Sequence, residues 1–163
     1  LEVAKMVAER RGDTNFVLNV VSNSEPIEFK NLPTNLKLNI QPWQRFYEFC
    51  EEVGDNDIYL DLRDNDLENR HCLPIKLFYY MAAGRPVIYT DLKAIKKGVP
   101  DCEQFGFFHS EKDLEGISNL VLKYIDDDLL YQTHCRNSLN LSKEKYNWEL
   151  IEDDLITFVR DVV

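Results

Sequence analysis

The chain has 163 residues, of which 44% are hydrophobic and 12% aromatic, and this size and composition predict one domain with a single core. Its formal net charge of −10 repels polyphosphate and anionic lipid, so we expect no nucleic-acid partner. No segment approaches the roughly 20 consecutive apolar residues that span a bilayer, and we expect a cytoplasmic location.

Patterns in the first part of the chain alternate between helical and extended. Apolar residues at helical spacing predict a short helix over residues 1–11, and β-rich runs predict strands over 16–21 and 36–40. A second helix is expected over 42–53, because Pro42 begins it and aromatic residues recur along one face. A third strand follows over 57–62.

The second part of the chain continues the alternation. We predict a helix over 75–83, strands over 85–90 and 105–108, and a helix that begins at a capping-box-like pair, Ser110 and Asp113. Two more helices follow. The last is expected to be anchored by Trp148, Ile151, Leu155, Phe158 or Val159, and Val162.

The cysteines and two of the histidines show no metal-ligand or catalytic spacing. The four cysteines lack Cys-x-x-Cys or His/Cys zinc spacing, and we interpret them as free thiols in a reducing compartment. They are Cys50, Cys72, Cys102 and Cys135. His109 and His134 have no titratable partner at motif spacing and are interpreted as structural.

Strands separated by helices of about 10 to 15 residues indicate βαβ units. The predicted fold class is therefore α/β, a doubly wound Rossmann-like parallel sheet with helices on both faces. Ligands of such sheets bind outside the carboxyl ends of the strands. There Pro74 begins a helix, Lys76 adds a cation to its first turn and Gly84 allows a sharp reversal, a combination that predicts an anion pocket.

The segment from Pro74 to Ile88 reads Pro-x-Lys-x-x-x-Tyr-Met-Ala-Ala-Gly-x-Pro-Val-Ile. It resembles the donor-site signature of the large group 1, family 4-like GT-B glycosyltransferases, which include enzymes of polysaccharide and lipopolysaccharide assembly. Residues 2–21, 35–46 and 145–148 are similar, in order, to further segments of the same domain. The resemblance implies a C-terminal, donor-binding Rossmann domain that holds a nucleotide sugar.

We predict a set of donor-binding residues from their position near the carboxyl ends of the strands and from the resemblance: Lys76, Arg70, His71, Pro74, Ile75, Tyr79, Ile40, Gln41 and Pro42. The alternative for the charged and histidine side chains is an ordinary surface position, and for the tyrosine a place in the core. In retaining members a glutamate stands at the position of Tyr79 and another at that of His71, so no catalytic residue is assigned. Some relatives with the Pro-x-Lys version also lack the glutamate that Tyr79 replaces, and activity is therefore not excluded.

Two parts of the family's proteins have no counterpart in this sequence. They are the first strand of the donor-binding domain and the whole acceptor-binding domain. We expect residues 1–163 to be a single nucleotide-sugar-binding domain from a longer, two-domain chain, without its acceptor-binding N-terminal domain. The absent first strand would lie in the middle of the sheet. We therefore expect that residues 16–21 and 57–62 do not pair directly, and that the native chain extends upstream or another strand is recruited. Any peripheral membrane association would come through the missing part.

The resemblance implies transfer of a sugar from a nucleotide diphosphate sugar to a saccharide or lipid-linked acceptor, in surface polysaccharide or lipopolysaccharide synthesis. We expect no cofactor and no metal, because Asp61 and Asp64 do not form an Asp-x-Asp site. Two alternatives of GT-B shape remain: a non-catalytic, degenerate nucleotide-binding module and a sugar-nucleotide epimerase. A response-regulator-like domain is a third, although residues 19–21 lack its acidic pair.

Overall fold

The computed structural model describes residues 1–22, 31–42, 45 and 54–162. Apart from Pro42 and Arg45, the predicted helix over 42–53 lies outside the described residues, and so does Cys50. Cys72, Cys102 and Cys135 are free, which confirms the predicted thiol state of these three. None of the described helices combines the length and the apolar character that are needed to cross a bilayer.

A two-stranded parallel sheet forms the first part of the fold. Helix α1 (Glu2–Arg10) leads to strand β1 (Phe16–Val21), which pairs with β2 (Leu36–Gln41) along its whole length. Asn35, just before β2, holds the turn between α1 and β1. Its side-chain nitrogen lies 2.8 to 2.9 Å from the backbone carbonyl oxygens of Ala8, Arg11 and Thr14.

A three-stranded parallel sheet forms the second part. Strand β3 (Tyr59–Asp61) pairs with β4 (Val87–Thr90), and β4 pairs with β5 (Gly106–His109). Every residue of β4 is buried, as expected for a strand with neighbours on both edges and helices on both faces. The strands of residues 16–21 and 57–62 are not paired with each other among the described ladders, as the sequence predicts.

Helices cover the three-stranded sheet on both faces. The described helices after α1 are α2 (Lys76–Ala82), α3 (Lys93–Gly98), α4 (Leu114–Asp126), α5 (Asp128–Glu144) and α6 (Trp148–Val162). Val87 and Tyr89 of β4 pack into a core with α2 and α3, whereas Ile88 packs into a second core with α1 and α4. Because successive side chains of a strand point to opposite faces, these two cores lie on opposite sides of the sheet.

Helix α6 is correctly predicted, but the expected anchoring of its apolar side chains is wrong for the part of the chain that the structure describes. Trp148 is 57% exposed and Phe158 is 65% exposed, and Ile151, Leu155 and Val159 are exposed as well. An amphipathic pattern indicates that a helix has an apolar face, but it does not identify what covers that face.

Two details at the start of α4 also differ from the prediction. Asp113, rather than Ser110, caps the helix, because its Oδ1 accepts a hydrogen bond from the backbone N–H of Gly116 at 2.9 Å. His109 does have a titratable partner, since its Nε2 lies 2.8 Å from Oδ2 of Asp113. The bond from Gly116, and then that from His109, lower the pKa of Asp113.

Candidate functional site

The predicted site lies at the edge where the parallel strands β3, β4 and β5 end. Register places Asp61 beside Tyr89 and Thr90 beside His109, so the carboxyl ends of these strands share one edge. The segment that links β3 to α2 leaves from this edge, and so does the turn that follows β5. Loops at this edge of a parallel sheet are the usual ligand-binding elements, and the segment that is predicted to bind the donor follows β3 here.

Arg63 is held at this edge by two buried residues from neighbouring strands. The hydroxyl of Thr90, which is fully buried, accepts a hydrogen bond from the backbone N–H of Arg63 at 2.8 Å and donates one to its carbonyl oxygen at 2.9 Å. The guanidinium Nε of Arg63 donates to Oδ1 of Asp61 at 2.8 Å, and the Arg63 side chain is 24% exposed. Backbone and side chain of the arginine are thus both fixed.

Charge and burial reinforce this arrangement. Burial opposes the charged form of Arg63, but its hydrogen bond to Asp61 and the charge of that carboxylate favour it, and the pKa of Arg63 is raised. Burial also raises the pKa values of Tyr80 and Tyr89, and the negative charge of Asp61 adds to both. The phenols under the edge therefore stay neutral, and Arg63 is the cation of this cluster.

The helix after the edge begins as the sequence predicts. Pro74 is buried, and its carbonyl oxygen accepts from the N–H of Leu77 at 3.1 Å, which starts the first turn. Ile75 precedes α2 in a helical conformation, and no side-chain hydrogen bond caps the helix. Lys76 is exposed at the first position of α2, and within the described ranges no side chain pairs with its ammonium group.

The end of α2 is fixed by a glycine and by a serine from another helix. Gly84 has a φ of 66°, a left-handed conformation that favours glycine, and its N–H donates to the carbonyl oxygen of Met81 at 2.9 Å. The hydroxyl of Ser138 on α5 lies 3.3 Å from each of the carbonyl oxygens of Met81 and Arg85. The predicted sharp reversal from helix to strand is therefore confirmed.

An open pocket of about 420 Å³ lies beside the edge, between the loop that follows β3 and the turn that follows β5. Its lining carries both signs of charge. Asp64, Asn65, Asp66 and Arg70 come from the first loop, and Ser110, Glu111 and Lys112 from the second. The Nε of Arg70 donates to Oδ1 of Asn65 at 2.7 Å, and this bond orients the guanidinium.

The remaining predicted residues lie at several places. His71 ends a short 3₁₀ helix (Asn69–His71) and is exposed, and Ile75 is 68% exposed. Tyr79 is half-buried and packs against the core between α2 and the sheet. Ile40, Gln41 and Pro42 lie at the end of β2 in the other sheet, and no described contact brings them to the start of α2. Their predicted contacts with a ligand stay predictions.

The sequence patterns do not predict the role of Thr90. Thr90 ends a strand whose other residues, Val87, Ile88 and Tyr89, are apolar, so a polar residue at its carboxyl end is a signal that could have identified it. Its partner could not be identified in the same way, because the bond to Arg63 joins residues 27 positions apart and depends on the pairing of β3 with β4.

Several solved structures with this fold are glycosyltransferases of the GT-B type. Sucrose-phosphate synthase from Thermosynechococcus elongatus superposes with a TM-score of 0.70 at 16% identity, over 98% of this chain and 42% of that chain. HepE from Anabaena, solved in complex with UDP-glucose, gives 0.68 at 11% identity, over 95% and 52%. WaaG, described as a glycosyltransferase involved in lipopolysaccharide biosynthesis, gives 0.59 at 16%, over 93% and 50%.

These likenesses confirm the predicted fold class: the chain has the Rossmann-like fold of a GT-B domain. At such identities they establish the fold and not the activity. The chain spans only 42% to 52% of the length of these solved chains. No protein-family model matches the sequence, and no curated protein matches it significantly.

Proposed function

We propose that this chain is the donor-binding domain of a glycosyltransferase, which moves a sugar from a nucleotide diphosphate sugar to a saccharide or lipid-linked acceptor. One observation carries the proposal: the fixed Arg63 and Lys76, whose ammonium group pairs with no side chain of the described residues, both follow the carboxyl end of β3. A pyrophosphate is bound by cations, and Arg63 and Lys76 are two cations of the segment that follows β3. The fold, which HepE shares in complex with UDP-glucose, agrees with it.

The chemistry required of these residues is stabilisation of a leaving group. When the bond between the sugar and the nucleotide diphosphate breaks, negative charge accumulates on the diphosphate. Lys76 and Arg63 lower the energy of that charge, and the start of α2 adds its N–H dipoles. Because Asp61 and Thr90 hold Arg63 in place, little reorganisation is needed as the charge develops.

Other residues of the predicted site assist in binding the nucleotide sugar. Arg70, already oriented by Asn65, and His71 contact phosphate or sugar, and Pro74 and Ile75 shape the approach to the first turn of α2. A second domain supplies the acceptor-binding site. Surface polysaccharide or lipopolysaccharide synthesis in the cytoplasm is the biological setting that we propose, and the three free thiols agree with a reducing compartment.

A second function, a nucleotide-binding module without transfer, is favoured by one observation. Tyr79 occupies the position where relatives of the retaining type carry a glutamate, so this position has no carboxylate. Its side chain is half-buried and packs against the core. Both functions require nucleotide binding at the same edge. They differ in turnover, so transfer or hydrolysis of a nucleotide sugar by the chain joined to an acceptor domain would separate them.

Isothermal titration with UDP, GDP and their sugars tests the proposed site. We expect binding at micromolar to millimolar strength, and a decrease in affinity of about tenfold or more in Lys76→Ala, because a charge-assisted contact contributes about 1.5–3 kcal/mol. Lys143→Ala, an exposed lysine on α5, is the matched control and retains the wild-type affinity. Absence of binding by the folded chain, or an equal loss in both variants, contradicts the proposal.

A further inference from the structure

The pocket of about 420 Å³ between the loop after β3 and the turn after β5 is a separate place from the proposed diphosphate site. One wall consists of residues 64–66 with Arg70, and the other of residues 110–112. Arg63 and Lys76, the cations proposed to bind the diphosphate, do not line it. Its volume lies within the range of about 300–1,000 Å³ that is usual for ligand sites. We call it the loop pocket.

Hydrogen bonds hold both walls of the loop pocket in place. In the first wall, Oδ1 of Asp66 accepts from the backbone N–H of Asn69 at 2.8 Å. In the second, the carbonyl oxygen of Ser110 accepts from the backbone N–H of Asp113 at 3.1 Å. Asp113 is itself fixed, because it caps α4 and pairs with His109. Walls that are already ordered lower the entropic cost of binding a ligand between them.

Five of the seven residues that line the loop pocket are charged, and both signs are present. The carboxylates belong to Asp64, Asp66 and Glu111, and the cations are Arg70 and Lys112. None of the five enters an ion pair with another side chain in the described part of the chain. Opposite charges that share a pocket without pairing leave both acceptors and donors for a ligand.

This lining selects its ligand by chemistry. The residues described along the pocket include no apolar side chain, which disfavours an apolar ligand, and an anion meets three carboxylates but only two cations. Among the described residues no group of His, Cys, Asp or Glu side chains is arranged to hold a metal ion. Hydroxyl groups match the lining, because a hydroxyl donates to a carboxylate and accepts from a guanidinium or an ammonium group.

We propose that the loop pocket binds a neutral, hydroxyl-rich saccharide, one that carries neither carboxylate nor phosphate. Asp64 and Glu111, one from each wall, accept hydrogen bonds from its hydroxyl groups, and Lys112 donates to them. The saccharide is a unit of the acceptor, which the second domain also holds. That role rests on the proposed function, whereas binding of the saccharide does not. Uronates and phosphorylated sugars are rejected, because their charge meets the carboxylates of both walls.

Amide chemical-shift titration of the chain with saccharides tests this inference. The probes are neutral disaccharides of glucose, galactose, mannose and N-acetylglucosamine, and the acidic probe is digalacturonate, matched to the galactose disaccharide of the same linkage. We expect at least one neutral probe to shift residues 64–66 and 110–112 with millimolar affinity. Digalacturonate should bind about tenfold or more weakly than its neutral counterpart. UDP and UDP-glucose are titrated separately, and UDP should act on Arg63 and Lys76.

A double variant, Asp64→Asn with Glu111→Gln, separates saccharide binding from nucleotide binding. It preserves the shapes of the two side chains and removes their charges. We expect affinity for the neutral saccharide to fall by about tenfold or more and the preference over digalacturonate to disappear, while affinity for UDP does not fall. Glu103→Gln changes an exposed glutamate outside the pocket and is the matched control, with all these affinities unchanged.

The possible results decide the inference separately from the proposed function. Neutral saccharide binding in the two loops without any UDP binding supports the pocket and contradicts the proposed function. No shift in these loops with any neutral probe at tens of millimolar, in a folded chain, overturns the inference. So do tighter or equal binding of digalacturonate and an equal loss of affinity in Glu103→Gln. Shifts with UDP-glucose but with no free saccharide assign the pocket to the donor's sugar and overturn its place in acceptor binding.

Discussion

The hydroxyl of Thr90 binds both backbone polar groups of Arg63, accepting from its N–H at 2.8 Å and donating to its carbonyl oxygen at 2.9 Å. One buried side chain thus replaces the strand neighbour that residue 63 would have if β3 continued. The chain leaves the sheet at this point, and the side chain of Arg63 turns back to Asp61. The threonine therefore links the end of β3 to the position of the arginine.

Replacing Thr90 with valine removes both hydrogen bonds and preserves the shape of the side chain. The backbone groups of Arg63 then lose their partner, and we expect the free energy of unfolding to fall by about 1–3 kcal/mol. We also expect affinity for UDP to decrease severalfold, because Arg63 is no longer held. Urea denaturation and isothermal titration measure the two effects.

Thr90→Ser is the matched control for that variant. It keeps the hydroxyl and removes one methyl group, which costs about 1 kcal/mol of stability. Nucleotide affinity is expected to stay at the wild-type level. If serine and valine reduce affinity equally, the hydroxyl does not position Arg63 for binding.

Gly84→Ala tests the reversal that follows α2. The φ of 66° places an alanine in the left-handed region, and a Cβ at this position would lie 3.4 Å from Cβ of Leu139. We expect a loss of about 1–2 kcal/mol in the free energy of unfolding. Gly12→Ala is the control, since nothing lies within 4 Å of its added Cβ and its φ is not positive. Its effect should stay within about 0.5 kcal/mol, and equal losses in the two variants would contradict the assignment.

His134 predicts how stability depends on pH. Its Nδ1 lies 2.8 Å from the hydroxyl of Tyr124, and burial, with a smaller effect from Lys123, lowers its pKa. The unfolded chain therefore binds the proton more readily than the folded chain does. The stabilising contribution is complete above the unfolded pKa of about 6.5 and is lost as the pH falls below it towards the folded pKa.

His134→Asn removes the titrating group and keeps a hydrogen-bond partner for Tyr124. The decrease in the free energy of unfolding between about pH 7 and pH 5 should be shallower in this variant than in the wild type. Chemical denaturation at a series of pH values measures both slopes. Identical slopes would mean that the protonation of His134 is not linked to folding.

Much of the fold could be predicted because local patterns and tertiary structure agree in most elements. The glycine at position 84 and the apolar run of residues 87–89 each specify one local conformation, and the structure contains both. The sequence patterns do not predict helix α3, although Leu92, Ile95 and Val99 recur at helical spacing and are buried. Its 6 residues are too few for periodicity to stand out.

What could not be predicted depends on pairing across the chain. The apolar face of α6 is evident from its sequence, but the exposure of Trp148 and Phe158 depends on the tertiary structure. The bond between Thr90 and Arg63 depends on strand register, which local propensity does not determine. At the candidate site, Pro74 and Lys76 could be chosen from helix-start chemistry, whereas the residues that orient the arginine could not.

The most direct test of the central claim, that the carboxyl edge of the three-stranded sheet binds a nucleotide diphosphate, is an amide chemical-shift titration of the labelled chain with UDP. We expect the largest shifts at Arg63, Arg70 and Lys76, and small shifts at the opposite edge, where the strands of this sheet begin, around Asp57. Largest shifts at that opposite edge, or no shifts at millimolar UDP in a folded sample, would contradict the account.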